Sequence, residues 1–245
     1  MNTLIFDIEA DGFLYEATTI WCMVGYCLED GQYFIYHVDT EEEVCYPTNT
    51  TYIDSIDKYK VLFDNYRIIG HNILNYDLPL LSKLAHYKYS LKDKEDTLVM
   101  SRLSFPDREG HKLEWWGEKF RFPKGNHKDF SRFSPEMLTY CIQDVMITKR
   151  VWEFLQEEMK DWDWSEALKI EYAMANLQTI QEQTGIMFDI ELAKSIVYNL
   201  DEEIKSIEET VIPSIPMKYK HTGDINKPFK KDGSYSEQAN KWMNL

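Results

Sequence analysis

The chain has 245 residues, 44% of them hydrophobic and 14% aromatic, enough for one large core or for a domain with an extension. Its 42 acidic residues outnumber 27 Lys and Arg, giving a formal net charge of -15; this excludes a general electrostatic grip on a polyanion, so nucleic acid would have to be held through metal ions and local basic patches. A mean hydropathy of -0.48 and the lack of any apolar run of spanning length exclude a membrane span. The first strand begins at once, so no leader peptide and a cytoplasmic location are expected.

The pattern from Thr3 to Glu9 predicts a buried strand. Residues two apart on a strand share a side, so Asp7 and Glu9 project together and Phe6 and Ile8 project oppositely. Neighbouring carboxylates repel unless a cation sits between them, and oxygen-rich pairs suit Mg²⁺ or Mn²⁺. Taken alone, the pair is equally explained by a strand-end cap or a partner Lys or Arg. Thr19 to Cys27 and Gln32 to Val38 predict two further strands, joined by the turn signal Glu29-Asp30-Gly31, in an antiparallel meander. The cysteines, Cys22, Cys27, Cys45 and Cys141, have neither Cys-x-x-Cys spacing nor an accompanying His pattern; reduced structural thiols are expected, and no zinc site.

Asp39 to Tyr52 reads as acidic and irregular, Ile53 to Asn65 as a helix, and Arg67 to Asn72 as a short strand ending in polar residues. A helix is predicted from Asp77 to Tyr87, with Asp77 at or near its N-cap and Pro79 tolerable in the first turn. Asp96-Thr97 opens a short helix, Lys112 to Phe120 forms another, and 121–133 is a comparatively basic loop. Ser134-Pro135-Glu136 has the residue types of a helix start, and that helix runs to about Glu158. The expected architecture is an α/β layered fold with a mixed sheet and flanking helices over residues 1–160, followed by a mainly helical extension over 161–245. Within the extension, Trp162 to Gln183 and Leu192 to Thr210 predict helices, Gly185 a break, and Met217 to Leu245 a lysine-rich tail with hairpin-like pieces.

Two later segments supply matching acids. Asn72-x₃-Tyr76-Asp77 lies where a strand hands over to a helix, a place where α/β folds gather ligands. Tyr140 and Asp144 are four apart on a helix and share a face, and an Asp on an otherwise apolar face is costly unless paired or metal-bound. Four converging carboxylates call for two divalent cations, the arrangement that hydrolyses phosphodiesters.

The ordered set Asp7-x-Glu9, Asn72-x₃-Tyr76-Asp77 and Tyr140-x₃-Asp144 resembles the tyrosine-bearing subclass of the DEDD-type 3′–5′ exonucleases. More narrowly, it resembles the proofreading domain of family A replicative DNA polymerases from short-tailed phages. Gly70-His71-Asn72 and Asp96-Thr97-Leu98-Val99-Met100-Ser101-Arg102-Leu103 add to the likeness. The resemblance implies a ribonuclease-H-like fold and two bound cations, Mg²⁺ or Mn²⁺. Asp7, Glu9 and Asp144 would hold the cation that activates water, with Asp7 bridging to a second cation completed by Asp77. Tyr140 would orient the water, because a phenol of ordinary pKa is a poor base at neutral pH.

The implied reaction is release of 5′-mononucleotides from the single-stranded 3′ end of DNA at a primer-template, with Asn72 on the substrate side. Phe13 and Leu14, with Tyr15, are candidates to stack on bases. Lys124 and Arg132 are candidates for phosphate, among Lys112, Lys119, Arg121 and Lys128. The tail lysines Lys218, Lys220, Lys227, Lys230 and Lys231 offer a sequence-independent duplex contact. His71 and His127 read as structural. Gln183 to Asp189 looks like the lead-in to a polymerising part, so a polymerase-domain chain is the implied protein partner. A fragment, a split subunit and a free-standing enzyme all remain open, as do a non-catalytic DNA- or polymerase-binding subunit and an RNA-trimming exonuclease.

Overall fold

The computed structural model describes residues 1–215, 228–237 and 239–240. Six strands, β1 (Thr3–Ala10), β2 (Ile20–Cys27), β3 (Tyr33–His37), β4 (Thr50–Tyr52), β5 (Arg67–Gly70) and β6 (Lys94–Asp96), form one sheet in the order β4-β3-β2-β1-β5-β6. The expected meander is β1-β2-β3, antiparallel throughout, and β5 joins β1 in parallel. β4 lies parallel to β3 and β6 parallel to β5. Neither short strand is apparent in the sequence: three residues are too few to establish an alternation, and β6 buries Lys94 and Asp96 where apolar residues would be looked for.

The two faces of β1 feed two cores. Leu4, Phe6 and Ile8 pack with Tyr59 and Phe63 of α1 (Ile56–Asn65) and with Leu78 and Leu81 of α2 (Asp77–Ala85). Ile5 packs on the other side with Val24, Ile35 and Ile69 and with Met137, Leu138, Cys141 and Val145 of α5 (Pro135–Glu158). Alternation along β1 therefore delivers Asp7 and Glu9 to the α5 side. The start of α5 is as expected, with Pro135 in the first turn and Ser134 Oγ accepting from Met137 N at 3.2 Å.

In chain order α3 (Thr97–Ser104) and α4 (Leu113–Lys119) come between β6 and α5, and α4 buries Trp116 completely. Asp96, fully buried, joins this region to the turn before α2. One carboxylate oxygen accepts from Asn72 N at 2.9 Å, Leu98 N at 2.9 Å and Val99 N at 3.4 Å, and the other accepts from Leu74 N at 3.1 Å.

The described residues divide into two compact units, Met1–Ile186 and Met187–Leu245. The sequence-based boundary near Lys160 falls inside the first unit, because α6 (Ser165–Thr184) buries Tyr172 and Ala175 in that unit's core. Thr179 Oγ1, also on α6, lies 2.7 Å from Asn75 Oδ1 and donates toward that turn. In the second unit, α7 (Ile190–Val211) is capped by Asp189 and followed by a 3-10 turn over Ile212–Ser214, and Phe229 bridges to Tyr235. Lys218, Lys220 and Lys227 lie outside the described residues; Lys230 and Lys231 are exposed.

Removing the Asp96 carboxylate leaves several buried N–H groups without a partner. Asp96→Ala is expected to lower stability by about 2–4 kcal/mol, read as a drop in the urea midpoint, with a smaller loss for Asp96→Asn.

Candidate active site

β1 and β5 pair only from Thr3↔Arg67 to Ile5↔Ile69, and then they part. The gap opens at the carboxyl end of β5, beside the second half of β1, and carboxyl ends of parallel strands are the usual ligand position in such sheets. Gly70 closes the turn: a Cβ there would lie 1.9 Å from Ile73 Cγ2 and 3.0 Å from Phe6 O. Asn72 follows with φ 68°, a left-handed conformation that Asn tolerates, and the chain turns into α2. Asp77 is then the first residue of that helix, one past the N-cap. Its Oδ1 accepts from Ile8 N at 3.1 Å, a donor beyond the last β1–β5 rung. Asp77 thus tethers α2 to the strand that carries Asp7 and Glu9.

The acids are nearly dry. Asp77 is 3% exposed, Asp144 2% and Glu9 8%, and Asp7 is half-buried. Burial, then the like charges of Asp77 and Asp144, pushes Asp7 well above the usual carboxylate range; burial, then Asp7 and Asp144, does the same to Glu9. Burial, with the charge of Asp96 adding to it, lifts Asp77 to about 7, and burial lifts Asp144 to about 6 despite a cationic neighbour.

That neighbour is Lys124, whose Nζ lies 2.7 Å from Asp144 Oδ2 and 4.8 Å from the centre of the Tyr140 ring. Burial alone would lower the ammonium's pKa, but Asp144, Tyr140 and Asp7 together hold it above its ordinary value, so the charge stays. The loop that carries it lies flat on α5. Gln143 Nε2 donates to Pro123 O, and a Cβ on Gly125 would sit 2.9 Å from both Tyr140 Cδ2 and Gln143 Oε1. Sequence reading placed Lys124 among the phosphate contacts; the structure places it against the acids themselves.

The cluster fits divalent cations on its own chemistry. One ammonium faces four acids, Asp144 Oδ1 is buried with no partner, and Asp7 and Glu9 lie side by side with the Cys141 thiol, their ligand atoms within 4.8 Å of one another. Asp7, Glu9, Asp77 and Asp144 are the residues that would hold the cations. Tyr140 is half-buried, and burial first of all raises its phenol to about 12, so the phenol keeps its proton at neutral pH.

The stretch after Glu9 forms a braced turn. Tyr76 donates from its hydroxyl to Gly12 O at 2.7 Å, and Lys83 Nζ donates to Leu14 O, Tyr15 O and Ala17 O at 2.9, 2.9 and 2.7 Å. The brace leaves Phe13 79% and Tyr15 57% exposed. Leu14 is corrected: it is 8% exposed and packed in the core, so it offers no surface to a base. Lys83 was not anticipated, because on a helix surface it is indistinguishable from a solvated lysine until the turn folds under it.

A cleft of about 760 Å³ is lined by His71, Asn72, Arg102, Lys112 and Lys124, among others. Lys119 does not join it; its ammonium lies over the rings of Trp116 and Phe154 at 4.9 and 4.3 Å. Arg132 is exposed on the loop before α5, with Asp129 and Glu136 as the acids that feel its charge. His71 is structural and neutral. Thr97 donates its hydroxyl proton to Gly70 O at 3.1 Å, so His71 Nδ1 donates to Thr97 Oγ1 at 2.9 Å, and burial drops the ring to about 3. His127 bonds within its own loop, Nε2 to Asp129 O at 2.7 Å.

The DNA-directed DNA polymerases of Enterobacteria phage T3 and Escherichia phage T7 are each 28% identical to the chain, over 269 and 271 aligned residues covering 84% of it. The resemblance to a DEDD-type 3′–5′ exonuclease domain holds. The chain spans 37% of the length of these curated relatives. No protein-family model matches it. Among solved structures, Brucella melitensis NrnC with bound Mg²⁺ is similar with a TM-score of 0.56 at 15% identity, covering 77% of this chain and 89% of that one. NrnC bound to pGG is similar with a TM-score of 0.57 at 14% identity, covering 77% and 88%. The fold is accordingly α/β of the ribonuclease-H-like kind, with the exonuclease-like acids at the parting of β1 and β5.

Because folding raises the pKa values of these acids, the native state binds their protons more tightly than the unfolded chain. Their stabilisation is full below the unfolded value of about 4 and is lost as pH climbs through about 7. In chelator, urea unfolding should show stability falling across that window. Mn²⁺ should reverse the fall at neutral pH, and Asp77→Asn should flatten it. Lys124→Met removes the built-in counter-ion, so the cation-free melting temperature should drop while the rise produced by Mn²⁺ grows, as read by calorimetry.

Proposed function

We propose that the chain is a divalent-cation-dependent 3′–5′ exonuclease that removes 5′-mononucleotides from single-stranded DNA 3′ ends, in a proofreading role beside a family A polymerising part. The observation that carries this reading is the convergence of Asp7, Glu9, Asp77 and Asp144 in a nearly dry cluster with an unpartnered carboxylate oxygen. Cations held by these acids would supply an acidified water and charge to balance the leaving oxygen.

The chain's own residues do the rest. Tyr140, with its proton retained, orients the attacking water. Lys124, where the acid cluster meets the cleft, offers positive charge to the strand's phosphate. Phe13 and Tyr15, held out by the Lys83 and Tyr76 braces, present rings on which an unpaired base can stack. Asn72, in the wall of the cleft, and Arg132, exposed before α5, would contact the strand. Water adds to phosphorus, the 3′ oxygen of the preceding nucleotide departs with a proton, and a 5′-mononucleotide leaves. The likeness to phage DNA polymerases supports a polymerase-domain chain as the protein partner in this reading. A second reading is an RNA-trimming exonuclease of the same superfamily; its support is the fold shared with NrnC, which has been captured with pGG bound.

With Mg²⁺, a 5′-labelled DNA single strand should shorten stepwise, and a 3′ label should appear as mononucleotide. Asp7→Ala should slow the reaction by about 10²–10³-fold or more, and more than Asp77→Ala does. Faster shortening of a matched RNA would select the second reading. A folded protein that shortens neither, yet co-purifies with a second chain, would make it a non-catalytic subunit.

A further inference from the structure

In the second unit, α7 runs for 22 residues, about 33 Å at the usual helical rise, and among the described residues none on it is buried. A helix in a protein draws most of its stability from packing an apolar face. On α7 that face is a seam. Ile190, Val197, Ile204 and Val211 recur at every seventh residue, and Ala193, Leu200 and Ile207 recur at the same interval between them. Ala193 is half-buried, and the other members of the seam are 43–58% exposed.

The width of the seam narrows the kind of partner. A helix that packs on a globular surface carries a broad apolar stripe, roughly three or more positions in seven. A seam of two positions in seven, with polar flanks, fits a second helix, whose side chains enter as knobs into holes. The flanking positions here are Asp189, Lys194, Asp201, Glu203, Glu208 and Thr210, with Ile196 the apolar exception. Leu192 and Tyr198 stand off the seam and extend no stripe of their own.

The flanks and the one small residue also say which helix. Two parallel copies would gain Asp189 beside Lys194, but they would set Glu203 beside Glu208 twice and Ala193 against Ala193, a thin layer between repelling edges. Two antiparallel copies, with the twofold axis between Tyr198 and Asn199, pair Ile190 with Ile207, Ala193 with Ile204 and Val197 with Leu200. Every layer then holds a large aliphatic side chain. Lys194 of each copy lies beside Asp201 of the other, and no flanking acid is set directly beside another.

We propose that α7 is a self-docking surface, on which a second copy of this chain pairs in an antiparallel two-stranded coiled coil. The proposal does not depend on the nuclease reading and goes beyond it.

The test is sedimentation equilibrium of the full-length chain from nanomolar to high micromolar concentration, kept reduced so that the exposed Cys45 cannot link copies. A reversible monomer–dimer equilibrium is expected. Ile204→Glu buries a charge in the seam and should leave a monomer at every concentration, in a protein whose thermal unfolding of the first unit is unchanged. Lys194→Glu should raise the dissociation constant about tenfold or more, and Asp201→Lys added to it should restore the dimer, because the pair is then reversed. A parallel pair would not be rescued in this way, since Lys194→Glu would there face Asp189. A chain that stays single at every concentration overturns the proposal and leaves the seam to a different chain. An assembly of more than two copies, a dimer that survives Ile204→Glu, or a double reversal that fails to restore the dimer overturns it as well.

Discussion

Mutual repulsion among buried carboxylates is the constraint that the first unit is built to bear. Asp7, Glu9, Asp77 and Asp144 are raised by burial and by one another, and left to themselves they would move apart or take up water. Each is fixed to an element that cannot yield without breaking a core. β1 is hydrogen-bonded on both edges over its first half and packs on both faces, α5 fills one of those faces, and α2 is tied back through the Asp77–Ile8 bond. Strain that the fold holds in this way is what makes the cluster a strong seat for positive charge. Lys124 supplies that charge from within the chain, its Nζ 2.7 Å from Asp144 Oδ2.

A fifth acid, buried outside the cluster, makes the arrangement rigid without belonging to it. Asp96 gathers amides from the Asn72 turn and from the start of α3, so the turn that delivers Asp77 is held from the neighbouring edge strand. Gly70 and the left-handed Asn72 allow a turn tight enough for Asp96 to reach. The Gly-His-Asn stretch is therefore as much a geometric device as a chemical one, with His71 neutral and committed to Thr97.

The residues that were legible in the sequence depend on short-range periodicity. Asp7 and Glu9 share a face because strands alternate, and Tyr140 and Asp144 because helices turn in 3.6 residues. The helix starts at Ser134 and Asp96 were legible because capping is local. What was not legible depends on contacts between distant segments. Lys124 resembled any lysine of a basic loop, Lys83 any surface lysine, and Leu14 any apolar residue beside an exposed Phe13. β4 and β6 exist because a neighbouring edge recruits three residues each, a cause that lies outside their own sequence. The boundary read near Lys160 and the compact-unit division after Ile186 differ for the same kind of reason: the texture of the chain changes near Lys160, but α6 still buries its side chains in the first core.

That placement of α6 bears on how such a gene can be divided. Thr179 reaches the Asn72–Asp77 turn, and Tyr89 donates to Asn176 Oδ1 at 3.0 Å, so the helix is a strut of the acid-bearing frame and not the first piece of the second unit. A chain severed in the 160s would lose the strut and leave an apolar wall bare. The natural seam comes later, at the Gly185 break with its left-handed φ of 69°, where Ile186 and Met187 are almost wholly exposed. Any rearrangement that parts the nuclease-like half from a neighbour, by gene splitting or by fusion, has room to do so only on the far side of that helix.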